Sequence, residues 1–264
     1  MKRLFIALFC LALFLTACDT VPLTGRRQLT LLSDDQVNSM ALVQYNQFLT
    51  SNKVEPASSS NTEKVKRVGN RLAASITQYL NDKGLGDRVS GYKWEFNLVE
   101  SKEVNAWCMP GGKVVVYSGI LPLCQDDAGL ATVMAHEIGH AIARHGNERM
   151  SQQMVAQGIE QVGDIALNTN SQYVNIFNTA FGLGAQYGVI LPHSRLQESE
   201  ADHLGLIFMS MAGYDPHTSL YFWQRMAVAS KNNESPFFSD HPSDQQRIND
   251  IQKLMPEAMK FYRH

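Results

Sequence analysis

The sequence predicts an α+β domain, mostly helical with a small β-sheet, on three observations. Apolar residues recur at helical spacing through Val65, Val68, Leu72, Ile76 and Tyr79, and again through Leu130, Met134, Ile138, Ala141 and Ile142. Trp94 to Val99 alternates and is rich in strand formers. The turn Pro110-Gly111-Gly112 separates Val104–Met109 from Lys113–Tyr117, which reads as a hairpin leading into the second helical stretch. With 264 residues, 44% of them hydrophobic, the chain can bury one core. A formal net charge of -2 and the lack of any basic stripe exclude nucleic acid as a partner.

At the N-terminus, Lys2 and Arg3 precede an apolar run from Leu4 to Leu15, short for a membrane span and suited to a signal peptide over residues 1–17. Leu15-Thr16-Ala17-Cys18 reads as a lipobox and resembles bacterial lipoprotein precursors, which implies cleavage before Cys18 and acylation of its thiol and new amino group. Several acyl chains, at about 0.8 kcal/mol per CH₂, would give a membrane anchor through the N-terminal lipid. The expected location is therefore the cell envelope, lipid-anchored and facing the periplasm. Asp19 resembles an inner-membrane retention signal, but the choice between inner and outer membrane stays open. Residues 18–30 are expected to be a lipidated N-terminus and tether, with Arg26 and Arg27 near headgroups or simply solvated. Residues 31–264 form the folded domain.

Ser33 and Asp34 can start a helix through about Thr50, and Ser51 to Asn61, with Pro56 and three serines, is a loop. A second helix spans Thr62 to Leu80. Asp126 or Asp127 can cap the next one, and Gly146 suits the left-handed position after its last turn. From Glu148 to Leu191 the pattern is helical but punctuated by glycines, consistent with core helices or a lid over a cleft; Pro192 stops it. Asp215-Pro216 opens a helix whose Leu220, Phe222, Trp223 and Met226 read as core. Pro242 biases His241 to an extended conformation, and Ser243 with Gln246 can box the start of the last helix. Cys108 and Cys124 remain once Cys10 and Cys18 are accounted for; whether they form a disulfide is open, because one lies on a strand and the other near a helix start.

The sharpest chemical signal is Ala135-His136-Glu137-Ile138-Gly139-His140-Ala141, a His-Glu-x-x-His inside an apolar helix. Positions i and i+4 share a helix face, so His136 and His140 can offer imidazoles to one metal ion. Glu137, about 100° round from His136, falls where a carboxylate can hold a metal-bound water and take its proton. The apolar stripe lies opposite, which turns the metal face away from the main packing face. A glycine-then-histidine extension after His140 is absent: Ala143 stands three residues on, and His145 is one place off register and about 180° from His136. The better third donor is downstream, where Glu198 and Asp202 stand one helical turn apart. One face can then supply a metal carboxylate at Glu198 and an outer carboxylate at Asp202 that orients a ligand histidine, while Glu200 points about 200° away from Glu198.

Three stretches resemble the HtpX, BepA and LoiP type of membrane-associated zinc metallopeptidases, gluzincins that also include the CaaX prenyl endopeptidase. His136-Glu137-Ile138-Gly139-His140 is similar to their zinc helix, Glu198-Ser199-Glu200-Ala201-Asp202 to their Glu-x-x-Ala-Asp element, and His241-Pro242 through Arg247 to their His-Pro-…-Arg element. The resemblance covers about Thr30 to the end and implies a zincin-like domain with one Zn²⁺ per chain. It makes Glu198 the third ligand and Asp202 its support. His241 would either hydrogen-bond the transition-state oxyanion or close the site as a fourth ligand, with Arg247 placing it. Asn105-Ala106 resembles the sheet edge that takes substrate as an added strand. The activity implied is endoproteolysis of misfolded or misassembled envelope proteins; the alternative is a lipid-anchored chaperone or assembly factor with a structural or latched zinc.

Overall fold

Lys113–Tyr117 is buried at every residue, so it cannot be the half-exposed strand that alternation describes. It is the central strand of a three-stranded sheet in a computed structural model that describes residues 18–158, 170–181, 194–232, 235–241 and 245–262. The expected signal peptide, the Ser243 cap and part of the glycine-punctuated stretch lie outside the described residues.

The elements run in this order. The short strands β1 (Cys18–Thr20) and β2 (Arg27–Leu29) come first. They are followed by α1 (Asp34–Ser51), α2 (Ser60–Asp82), β3 (Glu95–Val99), β4 (Ala106–Met109), β5 (Lys113–Tyr117) and the short α3 (Leu121–Cys124). Then come α4 (Asp127–Ile142), α5 (His145–Ala156), α6 (Ser171–Ala180), α7 (Arg195–Met211), α8 (Thr218–Ala229), α9 (Pro236–Asp240) and α10 (Gln245–Ala258). The mostly helical α+β expectation is met, and the expected hairpin is β4–β5. Its turn needs left-handed backbone at Gly111 and Gly112, with φ of 78° and 77°. Strand order is β3-β5-β4, with β3 parallel and β4 antiparallel to β5.

Burial of β5 on both faces divides the core. Val114 and Val116 pack with α2, α4, α7, α8 and α10, while Val115 and Tyr117 pack with α1, α5 and α6. Helix α2 supplies Val65, Val68, Leu72, Ile76 and Leu80 to the first layer, all fully buried, and Ser59 caps it by accepting from the Thr62 amide. Cys108 and Cys124 are separate buried thiols of the first layer and form no disulfide with each other.

Three expectations are corrected. The stretch Thr20–Thr30 is not a free tether: β1 and β2 pair antiparallel, Gln28 donates to the Ala143 carbonyl (2.7 Å), and Asp19 bridges Arg88 (2.7 Å) and Arg144 (2.7 Å). A segment tied by one buried hydrogen bond and two partly buried ion pairs loses the freedom a linker needs. Helix α4 ends before Gly146: the left-handed residue is Arg144 (φ 59°), held by Asp19 and Asp34, and the chain turns at once into α5. Finally, α4 has no open face, because every residue from Gly129 to Ile142 is buried. The metal face is covered by other helices rather than turned away from the packing.

Candidate metal centre and active site

Helices α4 and α7 cross at two glycines. A Cβ at Gly139 would lie 3.0 Å from the Ala201 carbonyl oxygen, and one at Gly205 would lie 3.1 Å from the His136 amide nitrogen. Such closeness brings the first turn of α7, which Ser194 and Gln197 fix in a capping box, over the two imidazoles. Glu198 Oε1 is 3.2 Å from His140 Nε2 and Oε2 is 3.5 Å from His136 Nε2, while the two Nε2 atoms are 3.1 Å apart. His241, at the C-terminal end of α9, completes the group with Nδ1 3.0 Å from Glu198 Oε1 and 3.2 Å from His136 Nε2. One donor atom from each of His136, His140, Glu198 and His241 lies within 4.8 Å of the others, and all four residues are buried. Nitrogen and carboxylate donors converging on one point suit a divalent ion such as zinc. Nearby, Glu137 Oε1 is buried, lies 3.6 Å from His241 Nε2 and accepts no hydrogen bond among the described residues, which suits a carboxylate placed for chemistry rather than for the fold.

The outer partners differ for the two imidazoles. His136 Nδ1 meets Asp202 Oδ1 at 3.0 Å. Arg247 holds Asp202 through Nε (2.8 Å) and Nη2 (2.7 Å), and reaches Glu198 Oε2 through Nη1 at 3.0 Å. Its guanidinium lies 3.3 Å above the Trp223 ring, whose centroid is 5.3 Å from that of His136. Trp223 is core, as expected, and is also the floor of this clamp. On the other side His140 Nδ1 meets His145 Nδ1 at 2.8 Å, and His145 Nε2 meets Glu200 Oε2 at 3.1 Å. Sequence reasoning missed this second chain, because a continuous helix carries His145 away from His140 and only the left-handed Arg144 brings it back.

Asn105 and Ala106 do reach the site, lining with Glu137, His140 and His241 a cleft of about 540 Å³. Among the described residues β4 pairs only with β5, which places it at the edge of the sheet.

Electrostatics separates the roles. Burial raises the Glu137 carboxyl, with His241 and His136 opposing it, as suits a base that must hold a proton. Burial also acts on Glu198, but His241, Arg247 and His136 outweigh it and hold that carboxyl well below its usual range. His140 is pushed well below the ordinary imidazole value by burial, which favours the neutral form a cation needs. For His136, burial and Arg247 push down while Glu198 and Asp202 prevail and raise it to about 9, so proton and cation compete there.

Two helical histidines, a distant carboxylate and a buried glutamate beside a sheet-edge cleft define a metallopeptidase site. Residues 59–255 match peptidase family M48, and the chain belongs to that family. It is 32% identical over 93% of its length to the mitochondrial metalloendopeptidase OMA1 of Schizosaccharomyces pombe, of which it covers 68%. To the beta-barrel assembly-enhancing protease of Yersinia pestis it is 30% identical over 66% of this chain and 38% of that protein. Metalloprotease LoiP of Escherichia coli is 24% identical over 85% of this chain and 82% of its own length. The chain spans between 35% and 52% of other OMA1 proteins that it matches. The resemblance to the BepA and LoiP type is thus borne out, and the domain is zincin-like. Mitochondrial relatives overturn the expected lipid-anchored, periplasm-facing location. No helix among the described residues is long and apolar enough to cross a membrane.

Proposed function

We propose that this chain is a zinc-dependent endopeptidase that cuts misfolded or misassembled proteins. The observation that carries this reading is the convergence of His136, His140 and Glu198 with the Glu137 carboxylate beside them. Zinc held there would acidify a coordinated water and polarise the scissile carbonyl. Glu137 takes a proton from the attacking water and returns it to the leaving amine. Asp202 and Arg247 keep His136 and Glu198 in place, and the edge at Asn105 and Ala106 binds an extended peptide through backbone bonds that ignore side-chain identity. That indifference suits unfolded substrates, and the Yersinia pestis relative is by name a protease that enhances beta-barrel assembly, which supports envelope proteins as their class.

A second reading, a chaperone or assembly factor with a latched metal, is favoured by one observation: His241 Nδ1 lies inside the donor group. Casein digestion tests the first reading. The zinc-loaded chain cleaves, and Glu137→Gln keeps its zinc while losing about 10²- to 10⁴-fold in rate. Absence of cleavage by the loaded wild type refutes it. His241→Ala then separates the ring's two roles: kcat falls if it stabilises the oxyanion and rises if it closes the site.

A further inference from the structure

Behind the metal centre runs a second chain of buried polar groups that ends on the N-terminal hairpin. The geometry points to His145 as a positioning residue that fixes the tautomer and ring orientation of His140, with Glu200 and Arg26 as its anchor. This rests on His140 being a metal ligand. Glu200 accepts from Thr24 Oγ1 (2.9 Å) and from Arg26 Nε, which lies 2.9 Å from each carboxylate oxygen. A carboxylate paired in this way only accepts, so His145 Nε2, 3.1 Å away, carries the hydrogen between them. His145 Nδ1 is then left with its lone pair. That lone pair faces His140 Nδ1 at 2.8 Å, so the His140 hydrogen sits on Nδ1 and its Nε2 lone pair points at the donor group.

The anchor is itself held. Arg26 spans from Glu200 to Glu148, with Nη1 and Nη2 at 2.6 and 2.8 Å from the Glu148 oxygens, and Glu148 also accepts from Gln197 Nε2 at 2.8 Å. His145 is 0% exposed and Glu200 4%, so neither has water as an alternative partner. The ring of His145 therefore cannot turn without breaking a bond at each end. His136 obtains the same service directly from Asp202; His140 obtains it through a relay whose far end is a residue of the segment preceding β2.

The test measures Zn²⁺ affinity of the full chain by competition with a chelator, together with the absorption bands of the Co²⁺-loaded chain. His145→Leu weakens Zn²⁺ binding by about 10- to 100-fold and shifts the Co²⁺ bands. Asparagine places its oxygen where Nδ1 was, whereas glutamine places it where Nε2 was. His145→Asn accordingly stays within about threefold of wild type and His145→Gln does not, a split that holds the question open to decision even if His145→Leu fails to fold. Wild-type affinity in His145→Leu, or equal affinities in the Asn and Gln variants, overturns the inference. A wild-type chain that binds no Zn²⁺ instead overturns the metal reading beneath it, and the two failures are told apart by that control.

Discussion

Glu198 and Glu200 stand two residues apart on α7, both buried, yet they serve opposite flanks of the same ligand histidine. Glu198 faces the ligand nitrogens of His136 and His140, whereas Glu200 faces His145, Arg26 and Thr24 behind them. The inner flank rests mainly on helix spacing, two residues one turn apart on each of two helices, with His241 added from the end of α9. The outer flank needs a left-handed break after α4 and a hairpin drawn in from more than a hundred residues away. A buried carboxylate is therefore not defined by its helix but by which neighbour meets its face.

The sharpest way to break the comparison is to neutralise each side in turn. Glu198→Gln lowers casein cleavage by about 10³-fold, the several kcal/mol of charge stabilisation that the metal supplies, while Glu200→Gln, which keeps an acceptor for His145, stays within about tenfold. Equal losses would mean that the flanks do not differ. Next in size, Arg247→Met leaves Asp202 and Glu198 as buried carboxylates without their cation and costs about 3–5 kcal/mol in denaturant unfolding. An unchanged midpoint would show that Arg247 is not the clamp. Gly205→Ala presses a methyl against the His136 backbone and costs about 1–3 kcal/mol, with weaker metal binding as α4 and α7 part.

How far the sequence could be read follows the same division. His136, Glu137, His140, Glu198 and Asp202 were legible because helical periodicity places side chains without knowledge of the fold. The hairpin at Gly111-Gly112 was legible from its turn residues. Arg26, His145 and Glu200 were not, since each looks like a solvated charge or a packed ring until the hairpin docks on the end of α4. Burial of α4 from Gly129 onward was hidden for a related reason: its polar face is covered by α7, α10 and His241, whose approach is a tertiary event.

The smallest effect concerns the hairpin and acid. Burial pushes Asp19 up, but Arg88 and Arg144 outweigh it and lower its carboxyl from 3.8; burial likewise raises Glu148, and Arg26 and Gln197 lower it from 4.5. Both carboxyls are depressed by folding, so their stabilisation is present above these ordinary values and is lost as pH falls through the lower folded ones. Amide hydrogen exchange, corrected for its intrinsic pH dependence, should lose protection within residues 18–30 as the pH drops below about 4 and keep it near neutrality. Equal protection at both would leave the docking without its charge pairs.

Native mass spectrometry of the zinc-loaded chain tests the central claim most directly. One Zn²⁺ per chain in the wild type and in Glu200→Gln, lost in Glu198→Ala and in His140→Ala, is the predicted result. Retention of the ion by Glu198→Ala at wild-type occupancy would contradict the convergence of α4 and α7 on a single cation.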